Sequence, residues 1–584
     1  MQRDWWKSAV VYQVYPRSFA DSDGDGVGDL GGILERLDHL VALGIDVVWL
    51  SPVYRSPMDD NGYDISDYQD VDPLFGTLAQ LNELIARAHA AGMKIVMDLV
   101  VNHTSDEHPW FVESRSSTDS PKRDWYWWRP PRPGHEPGAK GAEPTNWGSA
   151  FSGPAWTYDE TTGDYYLHLF SPKQPDLNWE NPEVRAEVHR MMSWWLDRGV
   201  DGFRMDVINL ISKVTVEAAP GLPEGAIGGR DPRGAGVIDT SEYGDTHPHV
   251  VNGPRLHEFL QEMHREVFAH RGSGLLTVGE TPGASVEDAR LFTDPDRGEL
   301  DMVFTFEHVD LDSGPGGKWD VVPYRLLDLK RTFGRWQEGL ADVGWNSLYW
   351  GNHDQPRAVS RYGDDSPEHR EASAKALATV LHLHRGTPYV YQGDELGMTN
   401  YPFRTIDDFE DLESVNRFRA ATARGDDPDE VLDALRYKGR DNARTPMQWD
   451  ASPQAGFTTG TAWLAVNPNH TEINAAAQVD DPESVFSHHR RLIALRHDDP
   501  VVAHGRFTMV LPDHDQLYAF TRTLEDSTLL VVANLSSLPA DASELPDAAA
   551  WLAAETVLES GRSDGQGWAL GPWEARVLRR TGGL

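Results

Sequence analysis

The 584 residues, 39% hydrophobic and 10% aromatic, exceed what one simple core holds and fit a globular chain of two or three domains. A formal charge of −39 argues against nucleic acid or an anionic membrane as partner and points to an uncharged substrate, and a chain without cysteine has no disulfide, thiolate nucleophile or zinc–sulfur site. No apolar stretch approaches a membrane span and the start, MQRDWWKSAV, lacks the apolar centre of a secretory signal, so the expected setting is cytoplasmic, as a monomer or small homo-oligomer. The acidity also suits a salt-adapted protein, and the excess of Arg over Lys suggests GC-rich coding.

In chain order, a short β-rich run, a polar loop and an amphipathic helix repeat through the first 500 residues, which predicts parallel strands. The expected strands are Ala9 to Tyr15, Val47 to Leu50, Lys94 to Val100, Gly202 to Asp206, Leu275 to Val278, Met302 to Phe306, Asn346 to Trp350 and Thr387 to Tyr391, and eight of them suggest a (β/α)8 barrel. Segments 30–44 and 78–92 carry apolar residues at helical spacing and end in Gly, as covering helices should. After the third strand the rhythm breaks at 104–175, a loop-like region rich in Trp, Pro, Gly and Ser whose aromatic density, as in WYWW at 125–128, predicts an inserted subdomain, with further excursions at 213–256 and 401–440. From about 505, alternating runs such as LYAFTR and TLLVVANL predict a C-terminal antiparallel β-sandwich. The expected division is a barrel from 1–103 and 176–504, an insert at 104–175 and a sandwich at 505–584.

Barrel chemistry sits at the C-terminal ends of the strands, and those ends are polar here. The third ends in DLVVNH, giving Asp98, Asn102 and His103; the fourth gives Arg204 and Asp206; the fifth gives Glu280; the seventh gives His353 and Asp354. Arg204 and Asp206 share a strand face, so the guanidinium is expected to hold Asp206 ionised. Glu280 has no basic neighbour in its own motif, which predicts a raised pKa.

Four motifs, DLVVNH at 98–103, DGFRMDVIN at 201–209, VGET at 278–281 and NHDQPR at 352–357, resemble in order and spacing those of the α-amylase family of glycoside hydrolases. A fifth, QPDLN at 174–178, is similar to its oligo-1,6-glucosidase and α-glucosidase branch. The resemblance implies a retaining, exo-acting α-glucosidase, with Asp206 as nucleophile, Glu280 as acid and base, and Asp354 gripping sugar hydroxyls. It also implies that His103, Arg204 and His353 donate to the same glucose, that Tyr63 stacks on it, and that Asp60 pairs with Arg440 over its non-reducing end. Phe151, Phe170 and Gln174 match pocket-lining positions. Val207, read as a strand residue beside the nucleophile, accompanies α-1,6 preference in relatives, which implies short isomalto-oligosaccharides as substrates. An α-glucosidase preferring maltose or sucrose and a transglucosidase or sucrose isomerase are the alternatives, and EHVDLDSGPGGKW at 307–319 departs from the Arg-rich segment of the isomerases. A non-catalytic relative requires a membrane helix or missing carboxylates, and neither is seen in the sequence.

DSDGDGVGD at 21–29 places carboxylates at the first, third, fifth and ninth positions and Gly at the sixth, most of a calcium loop without the EF-hand's final Glu. The resemblance implies one structural calcium ion on Asp21, Asp23, Asp25, Asp29 and the Val27 carbonyl, and no organic cofactor.

Overall fold

The computed structural model describes residues 4–214, 243–561 and 567–582. Its centre is a closed barrel of eight parallel strands: β1 (Val11–Val14), β2 (Val47–Leu50), β3 (Lys94–Leu99), β4 (Gly202–Met205), β5 (Leu276–Glu280), β6 (Met302–Phe304), β7 (Asn346–Leu348) and β8 (Thr387–Tyr391). Each pairs with its neighbours in sequence, and β8 closes on β1 through Tyr12 opposite Val390. Every expected strand forms, but several end earlier: Asp206, Phe306 and Trp350 lie just past β4, β6 and β7.

Helix α1 (Leu30–Leu43) starts where the Asp29 side chain accepts the Gly32 N–H and stops at Gly44, whose φ of +92° an L residue avoids. Its buried Leu30, Ile33, Leu37 and Leu40 each contribute about 1.5–3 kcal/mol of apolar burial against the barrel. Helix α2 (Leu78–Ala90) opens on a Thr77–Gln80 capping box and buries Leu81, Leu84 and Ile85.

The insert between β3 and β4 forms a subdomain, as expected. It holds a helix, Pro109–Ser114, and an antiparallel sheet ordered Trp128–Arg129, Asp164–Leu167, Trp156–Asp159. Its tryptophans make this possible: Trp127, Trp147 and Trp156 form a buried cluster with Tyr165 that also receives Val207 and Leu210 from the barrel rim. The insert is thereby fastened beside β4.

After the barrel, β9 (Arg506–Val510), β10 (Leu517–Leu524), β11 (Ser527–Asn534), β12 (Glu555–Glu559) and β13 (Ala575–Thr581) form an antiparallel sheet ordered β9-β10-β11-β13-β12. The expected alternation of burial is absent from β11 because both faces are covered. Tyr518, Phe520 and Val531 pack towards the barrel helices, while Leu517, Ala519 and Val532 meet Trp551, Trp568 and a two-stranded ribbon of Ala540–Asp541 and Ala569–Leu570. Of the 213–256 excursion, residues 215–242 lie outside the described residues. The 401–440 excursion is largely helical, with Leu412–Arg424 and Pro428–Lys438. No helix among the described residues is long and apolar enough to cross a membrane.

Candidate active site

The strand ends open into a cavity of about 1070 Å³ walled by Asp60, Tyr63, His103, Phe151, Phe170, Asp206, Val207, Glu280, Asp354 and Arg440. Arg204, His353 and Gln174 stand behind that wall. The pairing of β3 with β4 sets Asp98 opposite Arg204, and the pairing of β4 with β5 sets Val278 opposite the same residue, so Arg204 is flanked by two carboxylate-bearing strands.

The guanidinium is shared more widely than its motif suggests. Arg204 Nη1 lies 2.7 Å from Asp98 Oδ1 and 2.8 Å from Asp206 Oδ1, and Nη2 lies 2.6 Å from Glu280 Oε1. Glu280 therefore has a basic neighbour that its own motif lacks, supplied by the adjacent strand. Arg204 is shared among three buried carboxyls. Burial, then the Glu280 carboxylate, push the Asp206 carboxyl well above its usual range, and the attraction of Arg204 does not outweigh them. Glu280 is raised as well, by burial first, against the pull of Arg204 and of the Val207 N–H. The two acids titrate as a pair that retains a proton beyond the ordinary carboxylate range.

Val207 is not a strand residue. Its φ of +35° and ψ of +40° put a β-branched side chain in the left-handed region as the chain leaves β4 for a short 3-10 turn at Ile208–Leu210. This backbone turns the Val207 N–H onto Glu280 Oε2 at 3.0 Å. Strain held at a pocket wall by a contact to a carboxyl is of the kind that persists at functional sites.

At the opposite end, Arg440 Nη2 meets Asp60 Oδ1 at 3.1 Å and Nη1 meets Asp354 Oδ1 at 3.2 Å. The guanidinium also lies over the Phe151 ring, 5.0 Å from its centroid. Burial carries Asp60 up to about 6 even though Arg440 and Arg444 pull it down. For Asp354, by contrast, His353 (once protonated at low pH), Arg440 and Arg444 overcome burial and hold the carboxyl far below the usual range. Sequence reasoning missed three members of this cluster: Arg444, 2.7 Å from Asp354; Asp411, 2.6 Å from Arg440; and Glu413, 3.5 Å from Arg440. Arg444 was legible, four residues after Arg440 and hence on the same side of a helical turn. Asp411 carried no signal within its acidic loop.

The aromatic and amide groups complete the wall. Tyr63 stacks on His353 at 5.1 Å with 4° between the planes, which occupies one face of its ring, and its hydroxyl donates to Asp98 Oδ2 at 3.1 Å. Tyr15 stacks on His353 at 5.8 Å. Phe151 and Phe170 pack at 5.6 Å, and Phe170 also meets His103 at 5.2 Å. Gln174 Nε2 donates to Asp60 Oδ2 at 3.1 Å. Burial lowers both histidines, His103 to about 4 and His353 to about 3, so both rings are neutral.

In the acidic loop, carboxylate oxygens of Asp21, Asp23 and Asp29 lie within 4.8 Å of one another, and Asp25 is outside that group. Gly26 holds φ +98°, and a Cβ there would come within 1.9 Å of the Thr461 carbonyl, so the sharp turn needs glycine. Asp21 already accepts the Gly24 and Gly26 N–H groups at 2.7 and 2.8 Å and the Thr458 hydroxyl, which ties the loop to the 457–463 segment. Three hard oxygen donors at one point fit a calcium ion, while the Val27 N–H donating to Asp25 at 2.8 Å orients Asp25 within the loop itself.

A parallel barrel with an insert after its third strand and carboxylates on neighbouring strand ends is the architecture of a carbohydrate-active enzyme. The chain belongs to the α-amylase family, whose catalytic-domain model matches residues 13–505. It is 54% identical over 99% of both chains to the oligo-1,6-glucosidase of Parageobacillus thermoglucosidasius and 52% identical, again over 99% of both, to that of Halalkalibacterium halodurans. Among solved structures, the trehalulose synthase MutB superposes with a TM-score of 0.89 at 44% identity, covering 99% of this chain and 100% of the other.

Proposed function

We propose that the protein is a retaining, exo-acting α-glucosidase that releases glucose from the non-reducing end of short α-glucosides and prefers α-1,6 linkages. The observation that carries the reading is one guanidinium gripping two carboxyls through its two Nη atoms, Asp206 at 2.8 Å and Glu280 at 2.6 Å. That grip suits the roughly 5 Å separation of a double displacement better than the roughly 6.5–9.5 Å gap in which an inverting enzyme seats water.

Asp206 attacks the anomeric carbon to form a glucosyl ester, and Glu280 gives its proton to the departing glycosidic oxygen. Glu280 then takes a proton from the water that hydrolyses the ester. The pair's retained proton must reside on Glu280 when substrate is seated; the Val207 N–H on Oε2 fixes that carboxyl's plane. Asp354, kept ionised by two arginines, accepts hydrogen bonds from sugar hydroxyls as charge develops on the ring. Arg440 and Asp60 close the far end, so a chain enters only by its terminal glucose. The greater identity to the two oligo-1,6-glucosidases than to the trehalulose synthase favours hydrolysis of α-1,6 bonds over isomerisation.

Residues 1–103 and 176–504 form the catalytic barrel in this reading, 104–175 the insert that walls the pocket and 505–584 the C-terminal sandwich. A calcium ion on Asp21, Asp23 and Asp29, with further oxygens from the loop, pins the first βα loop and takes no part in the chemistry. The enzyme works in the cytoplasm as a monomer or small homo-oligomer.

The test is catalytic efficiency on isomaltose against maltose, with products on concentrated sucrose resolved by chromatography. Preference for isomaltose and release of free glucose support the reading; a clear maltose preference, or isomerised sucrose as main product, overturns it.

A further inference from the structure

Lys213 has no solvent exposure and no part in the reaction described above. Its ammonium donates to Asn102 Oδ1 and to the Leu210 carbonyl, each at 2.7 Å, and lies 2.7 Å from Asp176 Oδ2. An ammonium can only donate, so it is the oxygen of the Asn102 amide that must face it, and Nδ2 points the other way. That nitrogen reaches Asp176 Oδ2 at 3.1 Å and His103 Nδ1 at 3.2 Å. His103 Nδ1 is then an acceptor, and the ring proton belongs on Nε2.

Nε2 lies 3.1 Å from the Tyr63 carbonyl, an acceptor, and 3.2 Å from Gln174 Nε2. The Gln174 amide is itself fixed, with Oε1 accepting the Ser171 N–H at 3.0 Å and Nε2 donating to Asp60 at 3.1 Å. The His103 Nε2–H is thus given to the Tyr63 carbonyl, which also accepts a Gln174 N–H at 3.4 Å, and of the two residues His103 lines the cavity.

We propose that Lys213 is a positioning residue that, through Asn102, fixes His103 as its Nε2–H tautomer, whose proton the Tyr63 carbonyl shares with a hydroxyl oxygen of the bound glucosyl unit. This rests on His103 being a glucose ligand. The neutral ring agrees with it: burial lowers His103, Asp176 opposes, and Lys213 adds to the lowering.

Neutron diffraction from deuterated crystals places the proton directly. The wild type is expected to carry the deuteron on His103 Nε2, with the Asn102 ND2 group turned to Nδ1. The Lys213→Met, Asp176→Asn double variant removes both charges together, so no buried carboxylate is stranded. It is expected to let the Asn102 amide turn, to move deuteron occupancy onto Nδ1, and to lower kcat/KM at least tenfold with little change in Tm. A wild-type deuteron on Nδ1, or full Nε2 occupancy in the double variant, overturns the proposal whatever the activity. His103→Ala separates the underlying reading: wild-type kcat/KM there removes His103 from the glucose contacts and overturns its donor role.

Discussion

The backbone N–H of Val207 donates to Glu280 Oε2 at 3.0 Å, at the residue where the chain leaves β4 with a positive φ. The residue that walls the entrance also orients the acid. Val207→Ala is expected to lower the ratio of catalytic efficiency on isomaltose to that on maltose by ~10-fold, within the 1–3 kcal/mol that methyl-scale pocket changes supply. Paired kinetics on the two disaccharides decide it, and an unchanged ratio removes Val207 from the specificity argument.

Asp206→Asn removes the attacking oxygen while keeping the side chain's shape and much of its packing. Turnover is expected to fall by ~10⁴-fold or more, as for other essential nucleophiles, with the Tm held or raised because a buried carboxylate beside Glu280 is gone. Glucose release and thermal melts measure both; near-normal turnover would falsify the assigned role.

Arg440 balances Asp60, Asp354 and Asp411 in one buried cluster. Arg440→Met leaves those carboxylates short of a counter-charge, and breaking a buried pair costs about 3–5 kcal/mol. A marked drop in Tm is expected together with loss of activity on short α-glucosides. Lys at the same position should recover part of the stability but less of the activity, since it lacks the planar fork that reaches separate carboxylates.

Three buried carboxyls contribute stability that falls as pH rises from about 4 towards 7, while the buried His103 and His353, lowered to about 4 and about 3, contribute in the opposite sense. Burial lifts Asp60 to about 6, Asp301 to about 6 and Asp64 to about 7 in the folded protein, from an ordinary 3.8. Between those values these carboxyls bind more protons in the folded chain than in the unfolded one, so their advantage is full below the unfolded pKa and is lost through the folded one. For Asp64 the rise is worth roughly 4 kcal/mol. Chemical denaturation across this range should show the stability of Asp64→Asn gaining more, or losing less, with rising pH than that of the wild type; an equal slope would remove Asp64 from the account.

Calcium should raise Tm without changing kcat, adding about 2.7 kcal/mol to the unfolding free energy at a free ion concentration 100 times Kd. Asp21→Asn together with Asp23→Asn should abolish the rise, and Asp25→Asn should reduce it less, because Asp25 lies outside the converging trio. Melts with chelator and with added ion test this directly.

By itself, the sequence determined the barrel, because strand and helix periodicities are local and each Arg204-type motif sits at a strand end that topology must gather onto one rim. It also determined that Asp206, Glu280 and Asp354 share that rim. Which charge meets which was decided by tertiary structure alone. Strand pairing put Arg204 between Asp98, Asp206 and Glu280, so that Glu280 gained a basic neighbour its own motif lacks. The Asp411 and Glu413 contacts with Arg440 arise from a long excursion folding back over the pocket, for which neighbouring residues carry no pattern. Val207 shows the same limit at its smallest scale: a β-branched residue after a strand reads locally as strand, and only the demand of the turn and the Glu280 carboxyl holds it at φ +35°.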